Sequence, residues 1–569
     1  MKLLKHTFSL SKSSVGPIFL IAAVYLLTIC SFERRGFWNV DNANKFLQVQ
    51  AITQSNFADY SIDWPGKTID PDFAFNPMPR PFSYIKDGKM FSPYSAAFAT
   101  VSAVLFRLGG FWGLYILPAV CSLLMLLACG KIARRLDSKG PVEQAAIFIT
   151  GLCTPIWFYS VTFWEHTAGL CLCVWGVYFY LKFLKTAAAK DIIFGSVLAA
   201  LSIYFRSEHT LFCVVLVIVT LSYTPGRKLK TASLAVGSMI AALMPLWLFQ
   251  WAVLGEPFGF HAISQLATVA SPAKFISTRP VVSYNLFVTS GPNRWLSVAT
   301  AAPFIIAFLF NRQYSKRGFV LAVPLYSLAA VVSATFVLKS HFTAASPIFW
   351  MFRSCSLFTA APVVMLAFLR LKDSDQKSTT RSEAKWIWVV ALAYAVFYTL
   401  AAPQESSIGI HWGNRFLLVL YPLFAVLAAV NLVRWFEYVK HEISWQKLVT
   451  ALLIMAGMVG QLYSINILQK KKAFSYRANQ QIQKYTEPVV ISDLWWVCQE
   501  LHSDFYNKPF FRASSFRRLD KLQQLLRDSG YNKAIFVTQM PEFPEGIQVG
   551  QVDDEGLNFF TLNFFSITY

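Results

Sequence analysis

The sequence has little charge, and acidic residues are the scarcer charged kind. Of its 569 residues only 14% are charged, with 30 Asp and Glu against 51 Lys and Arg, whereas 55% are hydrophobic and 16% aromatic. With a mean hydropathy of +0.45, this composition places the chain among integral membrane proteins. Its repeated apolar runs of about twenty residues have the length of membrane-spanning helices.

Other patterns are also missing. The nine cysteines show no paired spacing of a metal knuckle or a disulfide framework, so we interpret them as packing residues. The alternating pattern of an outer-membrane barrel is absent. No signal-peptidase site follows the first apolar segment, residues 15–30, which predicts that this helix is retained.

The positive charge has a membrane explanation. The formal net charge is +21, but the Lys and Arg residues are spread over short loops between apolar runs. In such loops they contact anionic headgroups and set the orientation of the protein. The charge therefore predicts contact with membrane lipids, and we expect no nucleic-acid partner.

The apolar runs predict an all-α polytopic membrane protein with about thirteen spans. The basic residues Lys2, Lys5 and Lys12 precede the first span, and later basic loops fall on the same side, so the positive-inside rule predicts a cytoplasmic N-terminus. An odd number of spans then places the C-terminus outside. The predicted spans lie near 15–31, 112–131, 142–159, 166–185, 191–205, 209–223, 231–254, 296–311, 318–337, 349–370, 386–402, 414–433 and 446–467.

Two domains are predicted. Residues 1–467 form a membrane domain whose first external loop spans 32–93 and contains a helix, 44–57, expected to lie flat on the membrane. Residues 468–569 have the composition of a small soluble extracytoplasmic α/β domain. Shorter predicted elements are a hairpin over 84–91 turned on Asp-Gly, an apolar helix over 95–108, strands over 488–492 and 533–537, and an amphipathic helix over 515–529.

An acid, Asp41, follows directly on the first span, in Phe37-Trp38-Asn39-Val40-Asp41-Asn42. It is expected at the membrane–water boundary on the side opposite the N-terminus. An ionisable group near hydrocarbon is costly and usually faces a water-filled cavity. The alternative interpretation is a surface acid that only touches the interface.

Other polar residues gather at the predicted external ends of the spans. Each has a structural alternative: Glu165 would meet the dipole at a helix N-terminus, Arg206 and Glu208 would form a polar hairpin tip, and Arg415 would snorkel. The gathered residues are Asp41, Glu165, His166, Arg206, Glu208, His209, His261, Arg294, Lys339, His341, Arg353, Glu405, His411 and Arg415.

Together these residues suit the attack of a hydroxyl on a phosphate-linked lipid substrate. A carboxylate near Asp41 would accept the proton of the acceptor as it attacks the sugar carbon. Guanidinium groups would hold the phosphate and stabilise the charge that develops as it leaves. One base and a cationic clamp then suffice, unlike the two carboxylates of glycoside hydrolysis.

The layout resembles the GT-C superfamily of membrane glycosyltransferases, which includes protein O-mannosyltransferases and the aminoarabinose transferase of lipid A. The resemblance covers roughly residues 15–467. It is carried by Trp38-Asn39-Val40-Asp41, Phe91-Ser92-Pro93-Tyr94, Phe163-Trp164-Glu165-His166-Thr167, Phe205-Arg206-Ser207-Glu208 and Trp412-Gly413-Asn414-Arg415-Phe416 with Tyr421-Pro422.

The resemblance implies a polyprenyl-phosphate sugar donor, inversion at the anomeric carbon and an active site on the external leaflet. It implies Asp41 as the base and Glu165 as a second acid of the site, and an acceptor that is a lipid, a glycan or a protein. Many relatives carry Asp-Glu or Glu after the first span, whereas Asn42 follows Asp41 here. This departure weakens the expectation of a bound divalent cation, Mg²⁺ or Mn²⁺. The predicted substrate-binding residues are His166, Arg206, Glu208, Arg294, Arg353, Trp412 and Arg415.

Three alternatives remain open at this point. A transporter or lipid flippase would keep its ionisable groups near the bilayer midplane, often in two matching repeats, and we find no convincing repeat. A ligase or polymerase of lipid-linked glycans would share the chemistry but use a larger donor. A non-catalytic assembly subunit would act through its external domain.

Overall fold

The computed structural model describes residues 11–260, 272–287, 313–328, 357–371, 378–401, 410–439, 444–544, 546–554 and 560–569. Arg294, Arg353 and the predicted span near 296–311 lie outside these ranges. The contacts divide the chain into two compact units. The helical unit comprises the described parts of Met1–Thr28, Pro118–Leu246 and Ala267–Ile465, and the mixed unit those of Ile29–Leu117, Trp247–Leu266 and Asn466–Tyr569.

Helices dominate the described residues. Short 3₁₀ helices cover Pro65–Thr68, Gly110–Trp112, Ser202–Tyr204, Pro362–Phe368 and Arg415–Leu417. The α-helices are α1 (Lys12–Cys30), α2 (Val40–Gln54), α3 (Ala96–Gly109), α4 (Gly113–Leu136), α5 (Gly140–Leu152), α6 (Ile156–Ser160), α7 (His166–Thr186), α8 (Ala189–Leu201), α9 (His209–Ser222), α10 (Lys228–Leu254), α11 (Pro272–Phe287), α12 (Leu357–Ala360), α13 (Ser378–Ala401), α14 (Leu420–Tyr438), α15 (Ser444–Ile482), α16 (Val497–Glu500) and α17 (Phe516–Asp528).

The predicted class of integral membrane protein is confirmed. Within the described residues, seven helical stretches are long and apolar enough to cross a membrane, and α9 is a shorter apolar helix. The count of about thirteen spans stays a prediction. The seven stretches are Ser13–Cys30, Ala96–Leu136, His166–Thr186, Lys228–Leu254, Arg381–Ala401, Leu420–Tyr438 and Thr450–Ile482.

The run 142–159, predicted as one continuous span, is divided into α5 and α6. Pro155 lies between them and has no backbone N–H to donate into a continuing helix. The carbonyl of Gly151, which a residue other than proline at 155 would bond, accepts instead from the Tyr25 hydroxyl at 2.9 Å. The break allows the chain to turn after α6, and the turn carries Glu165.

A pair of glycines brings α7 and α8 together. A Cβ atom on Gly176 would lie 3.1 Å from the carbonyl oxygen of Gly195, and one on Gly195 would lie 3.2 Å from that of Gly176. Small residues at a helix crossing let the two backbones approach closely. The antiparallel pair places the loop after α8, which carries Arg206, beside the N-terminal end of α7.

The mixed unit contains two small sheets. In the first loop β3 (Lys89–Phe91) pairs antiparallel with β1 (Ser61–Ile62) and β2 (Tyr84–Lys86), and the predicted Asp-Gly turn is confirmed by positive φ angles at Asp87 (49°) and Gly88 (66°). The strands of the second sheet are β4 (Val489–Ser492), β5 (Phe510–Arg512), β6 (Lys533–Thr538), β7 (Gly546–Asp553) and β8 (Thr561–Thr568). Their order is β5-β4-β6-β8-β7. Strand β4 runs parallel to β5 and β6, and the β6–β8 and β8–β7 pairs are antiparallel.

The first loop and the C-terminal tail fold together within the mixed unit. The predicted strands 488–492 and 533–537 and the helix 515–529 are confirmed as β4, β6 and α17, whereas the domain boundary at 467/468 stays a prediction. Four hydrogen bonds join the loop to the tail. They run from Trp64 Nε1 to the Phe510 carbonyl (2.8 Å), from the Arg512 backbone N–H to the Phe75 carbonyl (2.9 Å), from the Tyr506 hydroxyl to the Leu47 carbonyl (2.6 Å) and from the Asn44 side-chain Nδ2 to Gln499 Oε1 (2.8 Å).

The helix predicted over 44–57 begins earlier, at Val40, because Asn39 caps it. The Asn39 side-chain oxygen accepts a hydrogen bond from the backbone N–H of Asn42 at 3.2 Å. Most residues of α2 are buried, polar Asn44 and Gln48 among them. Its predicted position flat on the membrane stays a prediction.

His502 gives the mixed unit a testable pH dependence. Its imidazole is buried, with ring centroids 4.9 Å from those of Phe37 and Phe46, and its Nε2 lies 2.9 Å from the Arg35 carbonyl oxygen. Burial lowers the pKa of His502 from 6.5 to about 4. The unfolded chain therefore binds this proton first as the pH falls, and the folded state loses stability between pH 6.5 and 4.

We expect the apparent Tm of the full chain in lipid nanodiscs to fall as the pH is lowered through that window. A His502→Gln variant can still donate to the Arg35 carbonyl but cannot take up the proton, so its Tm should change less with pH. Above pH 7 the two proteins should respond to pH alike. Equal pH dependence of Tm throughout would contradict the assignment.

Candidate active site

The turn before α7 and the loop after α8 meet in a buried ion-pair network. Arg206 Nη1 lies 2.9 Å from Glu165 Oε1, while its Nη2 and Nε lie 2.5 Å and 2.6 Å from Glu208 Oε1. All three side chains are largely buried. One guanidinium group therefore joins two predicted site acids that are distant in sequence.

The arginine and Glu208 stabilise each other's charged forms. Burial raises the pKa of Glu208, but the charge of Arg206 outweighs that effect, so the net pKa is lowered. Burial opposes the charge of Arg206, and the two acids more than compensate and raise its pKa. Arg206 and Glu208 are therefore both charged at neutral pH.

Arg415 approaches the same region from the start of a 3₁₀ helix. The side chain of Asn414 caps that helix by accepting a hydrogen bond from the Phe416 amide at 3.0 Å. The Arg415 Cζ atom lies 4.9 Å from the ring centre of Phe416 and 5.6 Å from that of Trp164, and Arg206 Cζ lies 5.6 Å from Phe416. The two guanidinium groups thus share one aromatic ring, a favourable cation–π arrangement.

His166 packs among aromatic rings at the beginning of α7. Its ring centroid lies 4.5 Å from that of Trp164 and 4.7 Å from that of Tyr159, and all three side chains are buried. The structure therefore brings together Glu165, His166, Arg206, Glu208 and Arg415 of the predicted residues.

Trp412 makes a different set of contacts. Its indole N–H donates to Gln461 Oε1 at 2.6 Å, and the Gln461 amide donates to the Ala360 carbonyl at 2.7 Å. Next to it Gly413 has a φ of 60°, and a Cβ atom there would lie 2.5 Å from the Tyr421 hydroxyl. Trp412 thus anchors the loop that presents Arg415, while its predicted role in substrate binding stays a prediction.

Asp41 lies in the first turn of α2, in the mixed unit. It is half-buried, and the Tyr94 hydroxyl donates a hydrogen bond to its Oδ1. The Lys45 ammonium, one helical turn further on, lies 3.7 Å from the ring centre of Tyr94. An acid in the first turn also meets the favourable end of the helix dipole. That Asp41 and Glu165 serve one site stays a prediction.

Three residues of this region were given no role from the sequence. Tyr159, Trp164 and Phe416 supply the rings that surround His166 and the two arginines. Trp164 and Phe416 lie next to predicted site residues, within the motifs that carry the family resemblance. Tyr159 sits inside an apolar run, where hydropathy does not distinguish it from packing residues.

A divalent cation finds no ready set of ligands here. In the ranges that the structure describes, no group of three or more His, Cys, Asp or Glu side chains could hold a metal ion. Glu165 and Glu208 both bind Arg206 instead.

The network predicts a large stability effect at Arg206. An Arg206→Gln variant removes the guanidinium group that pairs with both acids, and breaking a buried pair in this way costs about 3–5 kcal/mol. Lys139→Gln is the matched control, because the Lys139–Glu437 pair, at 2.5 Å, is half-exposed and such pairs contribute at most about 1 kcal/mol. We expect the Tm in nanodiscs to fall far more for Arg206→Gln, and the deficit to shrink at acidic pH as Glu208, whose pKa Arg206 lowers in the wild type, is protonated. Equal Tm values for the two variants would contradict the network.

No protein-family model matches the chain, and no curated protein matches it. Among solved structures it is similar to ArnT from Cupriavidus metallidurans bound to undecaprenyl phosphate, at 13% identity and a TM-score of 0.50, over 97% of this chain and 98% of that chain. The archaeal oligosaccharyltransferase AglB from Archaeoglobus fulgidus, in complex with an inhibitory peptide and a dolichol-phosphate, matches 92% of this chain and 69% of that chain at 10% identity, with a TM-score of 0.47. The Archaeoglobus fulgidus oligosaccharyltransferase in complex with Zn and sulfate matches 91% of this chain and 67% of that chain at 12% identity, with a TM-score of 0.48. The likeness to ArnT shows that the chain shares the fold of that protein over 97% of its length, which extends beyond the residues 15–467 that the sequence resemblance covers.

Proposed function

We propose that the protein transfers a sugar from a polyprenyl-phosphate donor to a hydroxyl or amine acceptor on the extracytoplasmic face of the membrane. The observation that carries this proposal is the fold shared with ArnT over 97% of the chain, since that ArnT structure holds undecaprenyl phosphate. The acids and guanidinium groups supply the chemistry that such a donor needs. The acceptor is a lipid, a glycan or a protein of the cell envelope.

Asp41 is the base in this proposal. It takes the proton from the acceptor as the acceptor oxygen or nitrogen forms its bond to the anomeric carbon. The bond from that carbon to the phosphate oxygen breaks, and the phosphate leaves with the electron pair. Attack on the side opposite to the phosphate inverts the anomeric carbon. Phosphate is a good leaving group, so no general acid is required.

The charges of the helical unit divide into two roles. Glu165 and Glu208 balance Arg206, so we assign these three residues to a rigid support for the neighbouring ligand site. We assign the phosphate to Arg415, which lies on the rings of Trp164 and Phe416, because a guanidinium group can bind phosphate oxygens in bidentate fashion. Arg294 and Arg353 are further candidates from the sequence.

The alternation of basic loops supports the orientation in this proposal. The N-terminus is cytoplasmic, the C-terminus extracytoplasmic and the membrane the bacterial inner membrane. In the helical unit, acids accompany some of these basic residues, as in the Arg135–Glu383 pair at 2.6 Å and the Lys182–Asp191 pair at 2.9 Å.

Asp41→Asn tests the proposed base. Membranes of cells with and without the protein are compared by mass analysis of lipids and glycans, which identifies the product, and the purified chain is then assayed for its formation. Removing a general base typically costs about 10²–10⁴-fold in rate, so we expect at least a hundredfold loss with an unchanged Tm. Asp63→Asn, an exposed acid of the same loop, is the matched control.

Unchanged transfer by Asp41→Asn would remove Asp41 from the mechanism. A transport signal in sealed vesicles with no covalent product would instead support a flippase.

Tyr94→Phe tests how Asp41 is held. The variant keeps the ring that faces Lys45 but loses the hydroxyl that donates to Asp41 Oδ1. A hydrogen bond to a carboxylate contributes about 1.5–3 kcal/mol, roughly a ten- to hundredfold change in rate. We expect kcat to fall by about that factor with little change in KM for the donor, because the hydroxyl orients the base. A rise in KM with unchanged kcat would show that Tyr94 contacts the substrate instead.

A further inference from the structure

Two buried aromatic hydrogen-bond donors at the candidate site, Tyr159 and Trp164, have no acceptor among the described residues. Among the residues that the structure describes, neither the Tyr159 hydroxyl nor the Trp164 indole N–H has a hydrogen-bond partner, and both side chains are fully buried. Some other buried aromatic donors of the same unit are paired, since the Tyr180 hydroxyl lies 2.8 Å from Ser196 Oγ and the Tyr25 hydroxyl donates to the Gly151 carbonyl at 2.9 Å, whereas the Trp386 indole N–H, outside the candidate site, is also without an acceptor among the described residues. A buried donor without an acceptor costs stability, so such a group calls for an explanation in a ligand or an ordered water.

The two donors belong to the candidate site and not to scattered parts of the core. The ring centroids of Tyr159 and Trp164 are 5.5 Å apart, and both rings contact His166. The guanidinium of Arg415, proposed above as the phosphate ligand, lies 5.6 Å from the Trp164 ring. The donors therefore lie close to the group that would hold the phosphate end of a lipid-linked sugar.

The charge of the region favours an uncharged ligand group beside these donors. Arg206 is already balanced by Glu165 and Glu208, so a second anion placed beside them would meet two carboxylates. A sugar ring avoids this repulsion. Its oxygens accept hydrogen bonds from O–H and N–H groups, and its C–H faces pack against aromatic rings, as in other sites that combine apolar walls with a few polar groups.

We propose that Tyr159 and Trp164 bind the sugar ring of the lipid-linked donor, each donating a hydrogen bond to a sugar oxygen. This inference rests on the proposed function and adds to it the part of the chain that recognises the sugar. Arg415 takes the phosphate in this arrangement, so the carrier lipid without a sugar engages Arg415 but not the two donors.

Tyr159→Phe is the decisive variant, because it removes one oxygen atom and keeps the ring. Affinities of the full chain in nanodiscs are measured for undecaprenyl phosphate alone and for undecaprenyl phosphate carrying glucose, mannose or N-acetylglucosamine. Wild type should prefer at least one sugar-bearing lipid over the bare lipid. Tyr159→Phe should lose about five- to tenfold in affinity for that lipid, the effect of one neutral hydrogen bond, and bind the bare lipid as wild type does.

Stability separates this role from a structural one. The ligand-free Tm of Tyr159→Phe should not fall, because the hydroxyl has no partner to lose, whereas Tyr180→Phe, the matched control, should lower the Tm and leave both lipid affinities unchanged.

Three results would overturn the inference. Wild-type affinity of Tyr159→Phe for the sugar-bearing lipid would show that water satisfies the hydroxyl, and equal losses for both lipids would place the donors on the phosphate. A wild type without preference for any sugar-bearing lipid would also contradict it. These binding measurements need no turnover, whereas the Asp41→Asn assay tests the transfer reaction. A failure of the sugar-binding inference can therefore be distinguished from a failure of the proposed function.

Discussion

Burying a guanidinium group at the end of a membrane helix is unfavourable unless acids balance its charge and fill its hydrogen-bond positions. Arg206 meets that requirement through Glu165 on one side and Glu208 on the other. The pairing depends on the close approach of α7 and α8 at Gly176 and Gly195, which sets the two chain segments side by side. On the proposed function, we therefore assign Arg206 to the support of the site and Arg415 to the phosphate, because two carboxylates already bind the Arg206 guanidinium.

The elements that hydropathy and turn chemistry encode locally were predictable. The span predicted over 166–185 appears as His166–Thr186, and the Asp87-Gly88 turn appears where the dipeptide requires positive φ angles. The Arg206 network was not, because periodicity carries no information on which acid a distant arginine will meet. Only the shared position of Glu165, Arg206 and Glu208 at predicted external helix ends indicated that they belong together.

The packing of the first loop against the tail could not be predicted from the sequence for a related reason. A composition change near residue 469 suggests a separate domain, yet α15 continues to Ile482, and hydrogen bonds such as Trp64 to Phe510 tie the tail to the loop. Composition indicates whether a segment is soluble, but it carries no information on what the segment packs against. The buried polar face of α2, with Asn44 donating to Gln499 at 2.8 Å, shows why this helix is less apolar than its burial would suggest.

That polar packing bears on catalysis. A base must hold one orientation while its substrate arrives, and a carboxylate on a flexible loop would sample many. Asp41 instead sits in the first turn of a capped helix, with Tyr94 on one oxygen and Lys45 against the Tyr94 ring. The hydrogen bond from Asn44 to Gln499 ties one face of that helix to the tail. On the proposed function, the tail therefore contributes to transfer by fixing α2, and a truncation that removed it would disturb the base before it affected any acceptor.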